Sequence, residues 1–366
     1  MDKRVIIGIT VTMIVIMLGI TCGVVISKKQ DTLLASGQVT NNGQVELEEN
    51  NPEVEEPKNE TNKNIKIFSG YERPIALMVD NNVNAQPQSG INSAYIVYEI
   101  IVEGNESRLM PVFKGVSDDL VVGPVRSVRH YFLDYMNENG AICSHLGQSP
   151  QAENDIKSYK MDDINGQDYD TGKARTSESL FWRESPHGNK APHNAYTSIG
   201  SLKQIAKEKG YKLVSSSTDS VLNYTDKEVN LESDLVANTV TIPYASNHVV
   251  KYTYDSKAGR YTRYSKGRLQ KDGATGEDVT VKNIIVTLVY NYELDDGEDK
   301  GRQNLNNVGQ ANGYYITNGK ASQILCKKDT RTGKTKYLYH DGTEIEVNDG
   351  NTFINIVPIN ANIKFE

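Results

Sequence analysis

The chain lacks the features that would assign it to several familiar classes of protein. Three cysteines among 366 residues are too few for a disulfide scaffold or a cysteine-rich zinc module. The net charge is −7, whereas non-specific nucleic-acid binding needs a basic surface. The strings GxSxG, HExxH and CxxC, the Walker A motif and a GxGxxG after a strand are all absent. We therefore predict no nucleic-acid partner, no metal site and no cofactor.

A long uncharged run lies next to the amino terminus. Residues 5–26 carry no charged side chain, and as a helix they would span about 33 Å, enough to cross a bilayer. The run is longer than the apolar region of a cleaved secretory signal. Cys22 lies late in it, but Gly19 and Thr21 fit a lipoprotein cleavage motif poorly. We predict an uncleaved signal anchor over residues 1–29, with lipidation of Cys22 as the alternative.

The segment after this run predicts a tether. Residues 44–63 contain seven Glu and two Lys, with almost no large apolar side chain. Such a segment cannot bury enough surface to offset the entropy lost on ordering, so residues 30–64 are predicted to be a disordered acidic linker.

Positive charges flank the apolar run on both sides and leave its orientation open. A short tail followed by a long polar body is typical of a signal anchor. We expect a single-pass cell-membrane protein with its body outside the cytoplasm.

The body divides into two predicted domains. Residues 65–225 mix short apolar, β-branched runs with three helical segments: 127–139, a helix opening at Ser149-Pro150, and 196–209. Residues 226–366 contain closely spaced strand-like runs separated by Asn-Gly and Asp-Gly turns. We predict an α+β (or α/β) amino-terminal domain and a mostly antiparallel β carboxy-terminal domain.

Polar clusters in the first domain follow its apolar runs. Arg126, Ser127 and Arg129 surround the predicted start of a helix, with Ser127 as its N-cap. Cations in a first helical turn oppose the helix dipole, so an anion is expected nearby. If the preceding strands are parallel neighbours, the loops before both helices open at one sheet edge. The candidate ligand-binding residues are Arg126, Ser127, Arg129, His145, Ser149, Arg183, His193 and Asn194.

Carboxylates and histidines supply candidates for acid–base chemistry. Glu99 and Glu103 are four residues apart on one predicted strand, so they are expected to face the same way. The candidate catalytic residues are Glu99, Glu103, His145 and His193. Salt bridges from the two arginines to Asp80, Glu99 or Glu103 are the structural alternative. His187 lies in the same irregular segment as His193. Cys143 and Cys326 are left open as a pair or as free thiols.

Several strings resemble the YerB-like family, whose members are described as envelope lipoproteins of Gram-positive bacteria. They are PQSGI (87–91), YEIIVEGNESRLMPVF (98–113), GPVRSVRHYF (123–132), HLGQSPQAENDI (145–156), PHNAYT (192–197), VGQANGYYITNGKASQI (308–324) and YHDGTEIEVNDGNTFINIVP (339–358). The resemblance covers roughly residues 67–360 and implies a two-domain, surface-tethered protein. It supplies no reaction. The poor fit at Cys22 departs from the lipoprotein pattern.

Three functional interpretations follow. The favoured one is a membrane-tethered, extracytoplasmic binding module of the cell envelope, not an enzyme, whose pocket takes an anionic wall ligand or an acidic envelope protein. The alternative is a cell-wall hydrolase or transferase that uses a carboxylate/His pair in the same pocket. The third is a purely structural polar network between the domains.

Overall fold

The described part of the chain is mostly strand, with few helices. The computed structural model describes residues 65–215 and 220–366, which fall within one compact unit, Pro57–Glu366. Its α-helices there are α1 (His130–Glu138), α2 (Pro150–Tyr159) and α3 (Ile199–Glu208). Short 3-10 turns cover Val83–Ala85, Ile91–Ser93, Glu103–Asn105 and Gly166–Asp168.

The strands are numbered along the chain. The first ten are β1 (Ile75–Leu77), β2 (Val79–Asp80), β3 (Ile96–Ile101), β4 (Ser107–Phe113), β5 (Val121–Val122), β6 (Ile142–His145), β7 (Asp163–Asn165), β8 (Phe181–Arg183), β9 (Ala195–Ser198) and β10 (Tyr224–Thr225). The next seven are β11 (Thr239–Ala245), β12 (His248–Asp255), β13 (Arg260–Ser265), β14 (Arg268–Leu269), β15 (Thr280–Val281), β16 (Asn283–Val289) and β17 (Asn291–Glu293). The last seven are β18 (Gln303–Leu305), β19 (Gly309–Thr317), β20 (Lys320–Lys328), β21 (Lys336–Leu338), β22 (Val347–Asn348), β23 (Thr352–Pro358) and β24 (Lys364–Phe365).

One mixed sheet joins strands from both halves of the chain. Its order is β21-β20-β19-β16-β23-β3-β4-β1-β6-β7, with β2 paired to β4. Strand β23, near the carboxy terminus, lies between β16 and β3 and is parallel to both. Strand β4 is antiparallel to β3 and to β1, and β1 is parallel to β6. Strands β1, β3, β6 and β16 therefore point the same way and end at the same edge of the sheet.

This sheet is buried on both faces. Along β3, Val97 and Ile101 pack into one hydrophobic cluster, and Ile96, Tyr98 and Ile100 pack into the other. The first cluster includes residues of α3 and of the six-stranded sheet formed by β11–β15 and β24; the second includes residues of α1. Burial on both faces explains why these strands read as continuous apolar runs and do not alternate with polar residues.

The carboxy-terminal half is mostly antiparallel, as the sequence predicts. Every pairing in the six-stranded sheet is antiparallel. In the central sheet, β16 pairs antiparallel with β19 but parallel with β23. The sequence pattern of residues 283–294 predicts one strand, but the segment forms two, β16 and β17.

Two predicted helix starts are wrong. Helix α1 begins at His130 with Arg129 at the N-cap position, so Ser127 is not its cap. The backbone of residues 126–128 is engaged elsewhere, because Leu146 N–H donates to Arg126 O and Val128 N–H donates to Gly147 O. Helix α3 begins at Ile199, since Tyr196 belongs to β9 and pairs with Trp182 of β8. The predicted start of α2 is confirmed: the Ser149 hydroxyl accepts a hydrogen bond from Ala152 N–H, and Pro150 is the first helical residue.

The predicted membrane anchor, linker and Cys22 lie outside the described residues. Across residues 65–215 and 220–366, no helix is both long enough and apolar enough to span a membrane.

Candidate functional site

Cationic side chains line an open cavity where several strands of the central sheet end. The cavity, of about 460 Å³, lies near the start of α1. We call it the basic pocket; its lining residues are Glu103, Arg108, Arg126, Ser127, Arg129, Gln148, Ser149, Lys300 and Arg302. Five of these side chains are cations and one is a carboxylate. The sequence identified four of the nine as ligand-binding candidates and a fifth, Glu103, as a catalytic one.

Two loops form one wall of the basic pocket. Val128 and Gln148 pair as a parallel bridge, and Ser127 Oγ donates to Leu146 O at 2.9 Å. The strands that precede these loops, β5 and β6, lie in different sheets, so the predicted parallel neighbours are not neighbours. The loops meet through their own backbone hydrogen bonds.

Glu103 is shared by two arginines. Arg129 Nε donates to Glu103 Oε1, and Arg108 Nη2 lies 3.8 Å from Glu103 Oε2. Although burial opposes ionisation, these guanidiniums hold the pKa of Glu103 below its usual value. Burial, together with the neighbouring Arg129 and Arg126, lowers the pKa of Arg108 to about 10, against the opposing effect of Glu103. One carboxylate therefore does not neutralise the crowded cations.

Arg126 is anchored on the other side of the pocket. Its Nε lies 3.2 Å from Asp80 Oδ2, and its Nη1 lies 3.5 Å from Pro192 O. The side chain of Arg126 is 28% exposed and that of Arg129 is 13% exposed. Among the described residues, Nη2 of Arg126 and Nη2 of Arg129 have no hydrogen-bond partner. Both therefore keep donors for a ligand.

A hairpin from the second half of the chain supplies the remaining cations. Lys300 and Arg302 precede β18, and both pair with Glu298 at 2.7 Å. Arg302 also pairs with Asp296, whose carboxylate accepts from Gln151 Nε2 of α2 at 3.0 Å. Reasoning from the sequence missed Lys300 and Arg302, because nothing in the sequence places residues 300–302 beside residue 129. The signal available was the Lys-Gly-Arg string after four acidic residues (Asp295, Asp296, Glu298 and Asp299).

Glu99 lies in a buried polar network away from the basic pocket. Strand β3 ends at Ile101 and Glu103 lies in the following 3-10 turn, so the prediction that both glutamates face the same way on one strand is wrong. Glu99 and its ion-pair partner Arg263 are fully buried. Glu99 Oε1 also accepts from Asn81 and Ser107 and lies 3.1 Å from His248 Nε2. Burial opposes ionisation, but Arg263, His248 and Ser107 lower the pKa of Glu99 to about 2.

The two candidate catalytic histidines have different surroundings. His145 is buried, with Nδ1 2.9 Å from Gly147 O and Nε2 2.6 Å from Asp163 Oδ1. His193 is 20% exposed and lines a second cavity of about 540 Å³ that also contains His187. Its Nδ1 lies 2.8 Å from Asp80 Oδ2, the same oxygen that Arg126 approaches. Asp80 thus links the second cavity to the basic pocket.

Arg183 and Asn194 lie outside the basic pocket. Arg183 Nη1 donates to Asn194 Oδ1 at 3.0 Å across the β8–β9 hairpin, and Asn194 Nδ2 lies 3.4 Å from Ser185 Oγ. Cys143 and Cys326 are buried free thiols, so the open question of their pairing is answered: they do not pair with each other.

Comparison with known proteins gives the family but no activity. Residues 61–212 match the family "Protein of unknown function (DUF3048) N-terminal domain", and residues 240–354 match its C-terminal domain, so the chain carries two domains. The chain is 34% identical over 290 residues to "Putative lipoprotein YerB" of Bacillus subtilis (strain 168), covering 78% of this chain and 81% of that protein. It is also similar to the crystal structure of YerB protein from Bacillus subtilis, with a TM-score of 0.69, 32% identity, and 81% of this chain and 95% of that chain covered. The predicted resemblance is confirmed: the chain belongs to the YerB-like (DUF3048) family of proteins of unknown function.

Proposed function

We propose that this protein is an envelope-tethered binding module whose basic pocket takes an anionic group presented outside the cell membrane. The observation that carries the proposal is the composition of the pocket: five cations face an open cavity with one lining carboxylate. Asp80, Asp296 and Glu298 pair with three of these cations from outside the lining, so the cations outnumber the nearby carboxylates by one. An anion that enters balances this excess and pairs with donors that have no partner among the described residues.

The chemistry of the donors favours phosphate or carboxylate. A guanidinium presents a planar fork that matches two oxygens of such a group. Arg126 and Arg129 have free Nη2 atoms, and Ser149 and Gln148 add neutral donors to the same wall. A phosphate presents more oxygens than a carboxylate, so it can accept from both guanidiniums at once. We therefore place a phosphate of a wall polymer first, and a stem-peptide carboxylate or an acidic partner protein after it.

The tether rests on two features. The similar protein of Bacillus subtilis is named "Putative lipoprotein YerB". The uncharged run 5–26 followed by the acidic linker 30–64 would hold the body away from a membrane. External protease should degrade the body in intact protoplasts, while a cytosolic marker survives. Survival of the body until the membrane is broken would place it on the cytosolic side and contradict the tether.

Thermal unfolding of the purified full chain tests the pocket. The probes are inorganic phosphate, glycerol 3-phosphate and D-alanyl-D-alanine, and a probe that binds the folded state raises the midpoint. We expect the phosphate probes to raise it in the wild type, and Arg126→Gln or Arg129→Gln to remove the rise. Glu103→Gln should enlarge the rise, because it removes the carboxylate that competes with the ligand.

Arg268→Gln is the matched control, because Arg268 is an exposed arginine outside the pocket. The proposal fails if no probe raises the midpoint, or if Arg268→Gln and Arg129→Gln have the same effect.

A hydrolase is the second candidate function, and the Asp80–His193 contact favours it. A carboxylate on Nδ1 orients an imidazole so that Nε2 can act as a base, and His193 Nε2 has no hydrogen-bond partner among the described residues. Glu99 and His145, both buried, are poorly placed for this role. The test substrate is bis(p-nitrophenyl) phosphate. Hydrolysis by the wild type that His193→Gln abolishes would support an enzyme. If the wild type shows no hydrolysis, or if His193→Gln leaves it unchanged, His193 is not the base and the binding module remains the proposed function.

A further inference from the structure

We propose that Cys143, His145 and Asp163 form a binding site for a divalent transition metal ion of the zinc class. The sequence predicts no metal site, because no ligand spacing of a familiar kind is present. The three residues come together only through the pairing of two strands.

Strand pairing places the three side chains on one face of the sheet. Cys143 and His145 are two residues apart on β6, so their side chains point the same way. Strand β7 runs parallel to β6, with Asp163 directly opposite Cys143. The thiol sulfur, an imidazole nitrogen and a carboxylate oxygen all lie within 4.8 Å of one another. Zinc binds these atom types at about 2.0–2.3 Å, so one ion can reach all three after small movements.

The Nδ1 atom of His145 already makes the kind of hydrogen bond that orients a metal-binding histidine. Its Nδ1 lies 2.9 Å from Gly147 O, a carbonyl that can only accept. Metal-binding histidines commonly donate their other N–H to a carbonyl or carboxylate, which aims the free nitrogen at the ion. The nitrogen that remains, Nε2, faces Asp163 at 2.6 Å.

Charge balance favours a divalent ion in this buried place. Cys143 and His145 are fully buried, so a net charge would be costly. With thiolate, carboxylate and neutral imidazole as ligands, a divalent ion makes the site neutral. Binding displaces the thiol hydrogen to solvent as a proton, and with it the hydrogen on Nε2 where that nitrogen carries one.

A metal ion from solvent can reach the proposed site past the side chain of Asp163. Its side chain is 22% exposed, whereas those of the other two ligands are buried. The backbone of Asp163 is fixed by Tyr211, whose hydroxyl donates to Asp163 O at 3.0 Å, and by Lys209 Nζ at 3.1 Å from the same oxygen. Three protein ligands leave a fourth tetrahedral position, which water can occupy from this side.

Binding of Co²⁺ to the purified full chain tests the site, because a cobalt–thiolate bond gives a near-ultraviolet charge-transfer band. We expect one equivalent of Co²⁺ to produce the band, and Zn²⁺ to displace it. The band should persist in the double variant C22S/C326S, which keeps Cys143 as the only thiol. It should vanish in C143S, and D163N should weaken Co²⁺ binding at least tenfold.

Three results would overturn the proposal: no band in the wild type, a band that survives in C143S, or a band lost in C22S/C326S while that variant remains folded by circular dichroism. If C143S does not fold, the titration of C22S/C326S is decisive, because Cys143 is its only thiol. None of these outcomes depends on whether the basic pocket binds anions.

Discussion

At the residue scale, the ion pair of Glu99 and Arg263 lies in the core, away from the basic pocket. Both side chains are fully buried, and Arg263 also donates to the hydroxyl of Tyr252 at 3.2 Å. Glu99 lies on the central sheet and Arg263 on the six-stranded sheet, so the pair ties the two sheets together. Removal of one partner leaves a charge in the core without compensation.

We expect Glu99→Gln to lower the free energy of unfolding by about 3–5 kcal/mol, the usual cost of breaking a buried ion pair on one side. Urea unfolding of the full chain measures it. Glu178→Gln is the control, because Glu178 is exposed. A loss below about 1 kcal/mol would contradict the burial of the pair.

The same pair predicts an acid dependence. The pKa of Glu99 is about 2 in the folded chain against an ordinary 4.5, so the unfolded chain takes up the proton first as pH falls. The stabilisation from Glu99 is therefore complete above about pH 4.5 and is lost as pH falls towards 2. The wild type should lose more stability than Glu99→Gln over this interval in urea titrations. Parallel losses would show that Glu99 has an ordinary pKa.

The sequence predicts the chemical role of a side chain better than the place of that side chain in the fold. Their residue types beside helix starts indicate Arg126, Arg129 and Ser149 as ligand-binding candidates, and all three line one cavity. The spacing of Glu99 and Glu103 predicts that both face one side of a strand, but the chain leaves the strand after Ile101 and turns through Gly104 at a φ of 68°. Four residues of spacing cannot reveal where a strand ends.

At the element scale, β16 and β19 approach each other closely at Gly313. A Cβ atom on Gly313 would meet Val286 O at 2.2 Å and Cys326 Sγ at 2.9 Å. The carbonyl belongs to the central sheet and cannot move without breaking the ladder. Only glycine fits at this position.

We therefore expect Gly313→Ala to lower the unfolding midpoint strongly, with a loss of at least about 2 kcal/mol. Gly172→Ala is the control, because nothing lies within 4 Å of its added methyl and its φ is not left-handed. Equal midpoints for the two variants would show that β16 and β19 lie further apart.

Elements were predictable where local signals determine them. The Ser149-Pro150 start of α2 is encoded by an N-cap and a proline, both local features. The starts of α1 and α3 differ from the sequence prediction, because residues 126–128 and Tyr196 make long-range pairings that override their helical pattern. The Val128–Gln148 bridge could not be read from either segment alone.

At the scale of the molecule, the two family domains share one sheet. Strand β23 lies between β16 and β3, so the amino-terminal strands depend on residues 352–358 for a neighbour. The basic pocket is likewise assembled from both halves, with Arg126 and Arg129 from one and Lys300 and Arg302 from the other. The predicted boundary at residues 225/226 remains a prediction, and no local pattern reveals this strand order.

Truncation should expose this dependence. A chain that ends at residue 351 lacks β23 and should lose its cooperative thermal transition, measured by circular dichroism. A chain that ends at residue 359 keeps β23 and loses only β24 at the edge of the six-stranded sheet, so it should stay cooperative with a lower midpoint. A cooperative transition in the shorter chain would contradict the interior position of β23.

The central claim is that the basic pocket binds an anion, and its affinity for inorganic phosphate is the most direct measurement. Isothermal titration of the full chain should give a dissociation constant that rises with salt, as charge pairing requires. The double variant R126Q/R129Q should bind at least tenfold more weakly, while R268Q binds as the wild type does. Wild-type phosphate binding that the double variant leaves unchanged, or no binding at low salt, would contradict the account.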